Sequence, residues 1–573
     1  MTTDSAGRNK ILIFFLFFLL ICAVSLMAHH ASAPRDIWWQ MANGRQITET
    51  GQIVKTDNFT FTISGEEYLD KYWFFELASY LLYNRWGWKG LTFLRFILVL
   101  GCLASLSFSV KRKPIWFLLL LIVPVIFLME LRCLLRGYWL TFIILPIFFR
   151  LAHNVFNPSG KPGTWKQVSL LCVIQALWTN LHGEFFWGFL IAGVLAAENS
   201  IRFVRETGKW KCAIKNALSL VCVFLSSLIN PLGARLHVGI INEARTVALN
   251  PSSVEWTPFH EFAQPIGWTA LILLTVLTSF SFIASRKNLS LARLSLFIVF
   301  TAFTLRSYRF AGITALMGIL IGMENLSERS NISEPEKLKR FAVVFYTSAM
   351  LLFCGLTSSN LLYHWQMELK RLGSGVITSE FPSDCSEYLK TNSIRGNFLN
   401  SWSAGGYLIW HNWPDILVAA DGRTAPFSRE LLDHLSRIAI GSSSALEKME
   451  KEYHIDGAVV PWQYARMLRL LSTRSDWQLL FIGDNSTVWM KKKSVHEQHK
   501  EHLIPENLER FIVKDVNTAF KNESWLSFPA YVYRKALFFK CIGRQDLVDM
   551  QIKILASNMK NQKLPAEFNE LLD

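Results

Sequence analysis

The residues best suited to chemistry stand at the ends of apolar stretches. Asp36 follows the first stretch, in Pro34-Arg35-Asp36-Ile37-Trp38-Trp39, where an ionised carboxylate meets aromatics of the kind that gather at a membrane interface. A carboxylate sheltered there can take the proton from an acceptor hydroxyl while a phosphate departs, which is general-base work. The competing reading is that Asp36 caps a helix starting near Ile37, a place Asp favours in any protein, and spacing alone favours the cap. His182-Gly183-Glu184 falls in a tight turn between two apolar runs, where ionisable groups are costly without a partner or a task. We read this pair as positioning substrate, ahead of a solvated turn or a metal site. Lacking a P-C-x-x-C partner, it is no zinc deaminase.

Arg132 and Arg136 are spaced to share a helix face, as are Arg306 and Arg309. Cations on the outer side run against the tendency of basic loops to stay in the cytoplasm. A phosphate or pyrophosphate at that surface accounts for them, because a guanidinium supplies charge and bidentate hydrogen bonds to phosphoryl oxygens. Snorkelling to lipid headgroups is the alternative. Arg95, about a turn into the second apolar span, is a weaker third candidate. Glu255, in Glu255-Trp256-Thr257-Pro258, is a further reachable carboxylate or a plain surface acid. Asp421-Gly422-Arg423, after an apolar strand, reads as a glycan contact or as a turn closed by an ion pair.

Membrane helices must position most of these residues. A soluble chain of 573 residues would divide into about four domains. With 51% hydrophobic and 18% charged residues and a mean hydropathy of +0.25, water is the wrong solvent for most of this one. Apolar stretches near bilayer length recur from Ile11 to about Thr357, which excludes disorder, collagen-like repeats and a disulfide scaffold. The nine cysteines lie mostly in apolar runs without C-x-x-C spacing and read as small hydrophobes. Cys385 and Cys541 lie in the polar C-terminal region, where an oxidising compartment could pair them; we read them as unpaired.

The run Ile11 to Met27 follows Arg8 and Lys10 and precedes Ala31-Ser32-Ala33, the pattern of a cleaved signal peptide. It is longer than a usual signal core, and Pro34 would follow the cut, so the expectation is a retained anchor with its N-terminus in the cytoplasm. Further helices are expected near Leu91–Val110, Ile115–Glu130, Tyr138–Leu151, Gln167–Leu181, Phe185–Ile201, Ala217–Asn230, Gly267–Ala284, Leu294–Leu305, Phe310–Met323 and Phe341–Leu356. That makes about eleven spans, several shorter than the roughly 20 residues of a perpendicular crossing.

The net charge of +15 tracks the loops between spans. Lys111, Arg112 and Lys113 form one cluster; Arg202, Arg205, Lys209, Lys211 and Lys215 another; then come Arg286, Lys287 and Arg293, and Arg329, Lys337, Lys339 and Arg340. This is the positive-inside signature, and no basic pattern interleaved with aromatics suggests nucleic acid as a partner. With the N-terminus inside, every cluster falls in the cytoplasm. Asp36, Arg132, His182, Glu255 and Arg306 all fall outside, as does everything after about Asn360.

The fold class expected is therefore a polytopic α-helical membrane protein with a C-terminal α/β extracytoplasmic domain and a helical tail. Its parts are a membrane domain over 1–374 with a large outer loop at 30–90, an α/β domain over 375–495, and a tail over 496–573. Within the α/β domain, Gly396–Asn400, Tyr407–Trp410 and Ile416–Ala420 read as strands, with a turn at Gly405-Gly406. Helical patterning covers Ser428–Tyr453 with a break at Gly441–Ser444, then a strand at Ala458–Val460 and a helix from Gln463. Gln478–Ile482 and Ser486–Met490 read as a hairpin. Beyond about Pro505 the tail is mainly helical, in the manner of one tetratricopeptide-like hairpin.

The outer loop carries a series of features: an acid, a Trp-Trp helix, Asn43-Gly44-Arg45, Gly51, Thr56-Asp57-Asn58-Phe59-Thr60, Gly65 and Tyr72-Trp73-Phe74-Phe75-Glu76. In this order they resemble the first outer loop of GT-C type membrane glycosyltransferases. The likeness is to the RgtA/B/C/D-like and protein-mannosyltransferase-like branch that carries a C-terminal outer domain. Asn397-Phe-Leu-Asn-Ser-Trp-Ser-Ala-Gly-Gly-Tyr-Leu-Ile-Trp and Asp421-Gly422-Arg423 resemble the outer domain of such relatives. The resemblance implies transfer of a sugar from a polyprenyl-phosphate carrier, with inversion, to an envelope glycan, lipid or protein at the outer face of a bacterial cytoplasmic membrane. It implies Asp36 as the base; the expected substrate contacts are Asp57, Glu76, His182, Glu184, Glu255, Arg132, Arg136, Arg306 and Arg309. Many such enzymes have two adjacent acids where Ile37 follows Asp36 here, so a divalent metal stays open as a cofactor. Two other classes compete: a carrier or flippase for lipid-linked glycans, and a non-catalytic scaffold of envelope polysaccharide assembly.

Overall fold

The computed structural model describes residues 2–111, 113–156, 163–249, 256–262, 265–327, 335–366, 369–423, 426–494, 533, 535–540 and 543–558. Glu255, Arg112, Arg329, Cys541 and most of the expected helical tail lie outside the described residues. The chain forms two compact units. One comprises Met1–Ala31, Lys71–Glu368 and Leu372–Gly375; the other comprises Ser32–Asp70, Leu369–Arg371 and Val376–Asp573. Two three-residue strands, β1 (His30–Ser32) and β2 (Lys370–Leu372), occur where the chain passes from one unit to the other.

The first unit is helical. It contains α1 (Thr2–Ala28), α3 (Trp73–Ser109), α4 (Ile115–Glu130), α5 (Tyr138–Val155), α6 (Trp165–Leu181), α7 (Phe186–Thr207), α8 (Lys211–Ser226), α9 (Ala234–Leu249) and α10 (Phe259–Phe262). Then follow α11 (Pro265–Ala284), α12 (Leu291–Arg306), α13 (Ala311–Ser327), α14 (Glu336–Ser358) and the short α15 (Leu361–Trp365). Every apolar run read as a span falls on one of these helices. Among the described residues, seven helices are long and apolar enough to cross a membrane. Helices α4, α6, α8 and α12 have 16 or 17 residues, about 25 Å of rise, shorter than the hydrocarbon core. The span expected from Leu91 is the second half of α3, which breaks at Gly87 (φ 55°, ψ −141°), a backbone setting open to glycine.

Helix α13 is buried on all sides from Ala311 to Leu326, packing against α4, α11 and α12. Small residues permit this, as is usual between membrane helices. A Cβ on Gly318 would stand 2.9 Å from Leu274 Cδ1, and one on Gly322 3.1 Å from Leu121 Cδ1. The chain is thus an integral membrane protein by its apolar helices, with a separate sheet-bearing unit.

The second unit holds α2 (Ile37–Thr50), α16 (Ser383–Thr391), α17 (Trp402–Asn412), α18 (Arg429–Ala439), α19 (Ser443–Glu452), α20 (Ala465–Thr473) and α21 (Gln545–Asn558) around one sheet. Its strands are β3 (Gly396–Asn400), β4 (Ile416–Val418), β5 (Gly457–Pro461), β6 (Trp477–Ile482) and β7 (Ser486–Lys491), in the order β4-β3-β5-β7-β6. β3 runs parallel to β4 and β5, and β7 antiparallel to β5 and β6. The hairpin, the β5 strand and the broken helix pair fall where the sequence places them.

Two expectations fail. Tyr407–Trp410 is no strand and Gly405-Gly406 no turn: both lie inside α17. The glycines serve close packing, since a Cβ on Gly405 would meet Ala420 O at 2.1 Å and one on Gly406 would meet Arg35 O at 3.2 Å. The outer loop also does not belong whole to the membrane domain. Ser32–Asp70 folds with the α/β unit because the open edge of β4 satisfies its backbone. Phe61 N donates to Val418 O at 3.1 Å, Val418 N to Phe59 O at 3.2 Å, and Thr62 Oγ1 to Ala419 O at 2.7 Å.

Candidate functional site

In the second unit, Asp36 is the residue before α2. A capping residue is normally extended so that its side chain turns back to the first amides. Asp36 is instead helical (φ −79°, ψ −25°), and its side chain makes no capping hydrogen bond. Its carboxylate lies beside Gly422, where a Cβ would come within 2.7 Å of Asp36 Oδ1 and 2.9 Å of Trp39 Nε1. Helix α2 is seated on α17, with the Trp38 ring 4.8 Å from Tyr407 and 5.3 Å from Phe381. Those contacts fix the start of α2, and with it the carboxylate; Asp36 keeps intermediate exposure.

Asp57 is fully buried. One oxygen accepts from Arg423 Nη2 at 2.5 Å, the other from Thr60 N at 2.9 Å and Thr60 Oγ1 at 2.7 Å. Arg423 also bonds Asp421 from Nε at 2.8 Å and from Nη2 at 2.5 Å, and lies over the rings of Tyr68 and Phe59 at 5.0 and 5.4 Å. Burial works against the charge on Arg423, but Asp421 and Asp57 outweigh it and hold the guanidinium above its ordinary value. Burial pushes the Asp421 carboxyl up, and Asp57 adds to the push against the pull of Arg423. Of the two meanings open to Asp421-Gly422-Arg423, the turn closed by an ion pair is the one formed. Asp57 ties the loop to that turn.

In the first unit, His182, Glu184 and Arg309 come together. Trp178 Nε1 donates to Thr141 Oγ1 at 2.9 Å, which leaves the threonine proton for His182 Nδ1, 2.9 Å away. The amide of Glu184 approaches the same nitrogen at 3.4 Å. With Nδ1 accepting, the ring is neutral and carries its proton on Nε2. Glu184 Oε1 accepts from Arg309 Nε at 3.3 Å and Nη2 at 3.2 Å, and the guanidinium lies 4.8 Å from the Trp256 ring centre. Tyr72 stands 5.4 Å from the His182 ring, and Gly137 fits between them: a Cβ there would be 3.4 Å from each.

The arginines are not arranged as helix-face pairs. Residues 131–137 are not helical, and α12 ends at Arg306, where Ser307 turns extended (φ −157°) before the short turn Tyr308–Phe310. Arg132 is buried between Tyr138 and Tyr308, 4.5 and 5.3 Å from their ring centres, while Arg136 is half-buried. Arg306 is exposed, and Arg309 pairs with Glu184. Arg95 is buried; it donates to Ala28 O at 2.7 Å, meets His30 Nε2 at 3.1 Å and bonds His30 O, so it ties α1 to α3. Glu76 is buried in the first turn of α3.

Sequence reasoning missed Thr141, Trp178, Tyr138 and Tyr308, and the ion pair of Lys71 with Glu243. It also missed a buried cluster at the other end of α5, where Glu324 meets Arg150 at 2.9 Å, His153 at 3.8 Å and Lys111 at 3.9 Å. Charged clusters therefore stand at both ends of the helices of this unit. Among the described residues, no group of three or more His, Cys, Asp or Glu stands together as metal ligands would.

No family model matches the sequence, and no curated protein matches it. Two solved structures of the Archaeoglobus fulgidus oligosaccharyltransferase resemble this chain. The apo form is 13% identical, with a TM-score of 0.43, and the match covers 79% of this chain and 70% of that one. The complex with zinc and sulfate is 11% identical, with a TM-score of 0.45, covering 96% and 86%.

Proposed function

We propose that the protein is a membrane glycosyltransferase of the GT-C type, in the RgtA/B/C/D-like and protein-mannosyltransferase-like branch. It moves a sugar from a polyprenyl-phosphate carrier to an envelope acceptor with inversion, at the outer face of a bacterial cytoplasmic membrane. Asp36 takes the proton from the acceptor hydroxyl as the carrier phosphate leaves. Arg309 and Arg136 meet the carrier phosphate, with Arg306 at the headgroup level, and His182 presents its Nε2 proton to a substrate oxygen. Arg132 and Glu76 serve as buried positioning residues of the first unit, and Asp57 holds the loop in the second. Glu255 stays a candidate acceptor contact.

The observation that supports the reading is the place of Asp36: it starts α2 with a partly exposed side chain that makes no capping bond. The test is transfer from purified lipid-phosphate sugar to an acceptor extract. Asp36→Asn keeps the size and much of the hydrogen bonding of the side chain, and turnover should fall roughly 100-fold to 10,000-fold. Full turnover by the Asn variant removes Asp36 from the mechanism. Sidedness is checked separately: alkaline phosphatase fused after the last residue should be active, and activity there of a reporter that works only in the cytoplasm overturns the topology.

A second reading is a lipid-linked glycan carrier, for which the buried Glu324 and His153, 3.8 Å apart near the ends of α13 and α5, are candidate charges. A carrier needs no base, so unimpaired glycan movement in Asp36→Asn without any transfer product selects it.

A further inference from the structure

We propose that the second unit carries a binding site for an acidic saccharide, made by Arg45 of α2 with Trp410 and His411 of α17 and Trp413 just beyond it. The guanidinium carbon of Arg45 lies 5.1 Å from the Trp410 ring centre and 5.7 Å from that of Trp413, so two indoles share one cation. All four residues have intermediate exposure, and Arg45 Nη2 and His411 Nε2 are buried polar atoms that make no hydrogen bond among the described residues.

The platform is held before anything binds. Trp413 Nε1 donates to Asn58 O at 2.8 Å, and its ring meets Phe59 edge-on at 5.5 Å. The imidazole of His411 rests 4.3 Å from the Tyr407 ring and 5.3 Å from Trp38. Rings fixed in this way lose little freedom when they engage a partner.

Its charge is one-sided. Burial first, then Lys390 and Arg45, bring His411 down to about 4, so the imidazole is neutral while two cations bear on it. Lys390 is itself exposed. A guanidinium recognises a carboxylate by parallel hydrogen bonds, a neutral imidazole exchanges hydrogen bonds with hydroxyls, and indole faces take the apolar C–H face of a pyranose. A bare anion uses only the first of these and a neutral sugar only the others. A uronic acid uses all three. The site uses neither Asp36 nor the His182 turn, and its occupancy does not depend on sugar transfer.

The test uses the full chain in nanodiscs of zwitterionic lipid, titrated calorimetrically with hexagalacturonic acid and with maltohexaose. Hexagalacturonic acid should bind at least about tenfold more tightly than maltohexaose, a difference of about 1.4 kcal/mol. Arg45→Gln should remove that preference, and Trp413→Phe should weaken both sugars while leaving the preference in place. Three results overturn the proposal: no binding of hexagalacturonic acid, equal binding of the two sugars, or binding untouched by Arg45→Gln. In the last case a lowered unfolding midpoint would mark Arg45 as a staple between α2 and α17. Loss of sugar binding when the discs contain anionic lipid would make a lipid headgroup the occupant, and overturns it too.

Discussion

Arg423 and Arg309 each face carboxylates, yet the two units hold them in opposite ways. The side chain of Arg423 is 2% exposed, and both acids around it, Asp57 and Asp421, are wholly buried. Arg309 keeps 22% exposure and meets Glu184 and the face of Trp256. A buried cation with two committed carboxylates cannot release them cheaply, because each would be left charged without water. A partly exposed pair loses less when it is broken, because water can replace the lost partner. Similar residues thus give a sealed ion-pair triad in one unit and a partly open pair in the other.

The strongest way to break this comparison is to remove the buried cation. Arg423→Ala should destabilise the second unit by about 3–5 kcal/mol, because two acids lose their counter-charge in a dry site. Chemical unfolding followed by circular dichroism checks it, and a change below about 1 kcal/mol would make the triad a surface-like pair. Arg309→Gln should behave differently. The fold should survive, while binding of polyprenyl phosphate should weaken by about tenfold to a hundredfold, the worth of a charged hydrogen bond. Unchanged binding would leave headgroup contact as the role of Arg309.

The smallest effect is one of acidity. His411 titrates near 4 in the folded unit against an ordinary 6.5, so the unfolded chain takes up its proton first as pH falls. The stability tied to the neutral ring is complete above about 6.5 and lost as pH drops toward 4, by at most about 3 kcal/mol. Unfolding midpoints across that window should slope downward with acid, and His411→Gln should flatten the slope.

The helices were legible because burial in lipid demands long apolar runs, and each expected span lies on a helix. The sheet unit was legible where strands alternate or meet at a hairpin, as at Trp477–Lys491. What failed was spacing read without context. Gly405-Gly406 reads as a turn in isolation, and only the approach of Ala420 O explains glycine inside a helix. Arg306 and Arg309 have helical spacing, but the helix stops between them at Ser307. The bond between Asp57 and Arg423 spans 366 residues, and no local pattern announces a contact of that range. His182 and Glu184 were picked out by their cost in an apolar setting, whereas Thr141 and Trp178, which set the tautomer, look like ordinary helix residues.

The proposed roles of Asp36 as base and of Arg309 as phosphate contact are tested most directly by a crossed measurement. Carrier binding and sugar turnover are measured side by side for Asp36→Asn and Arg309→Gln. The account predicts that Asp36→Asn binds carrier as the parent does but turns over roughly 100-fold to 10,000-fold more slowly. Arg309→Gln should bind weakly and regain turnover as carrier concentration rises. Parent-like turnover in Asp36→Asn, or equal loss of binding in both variants, would contradict it.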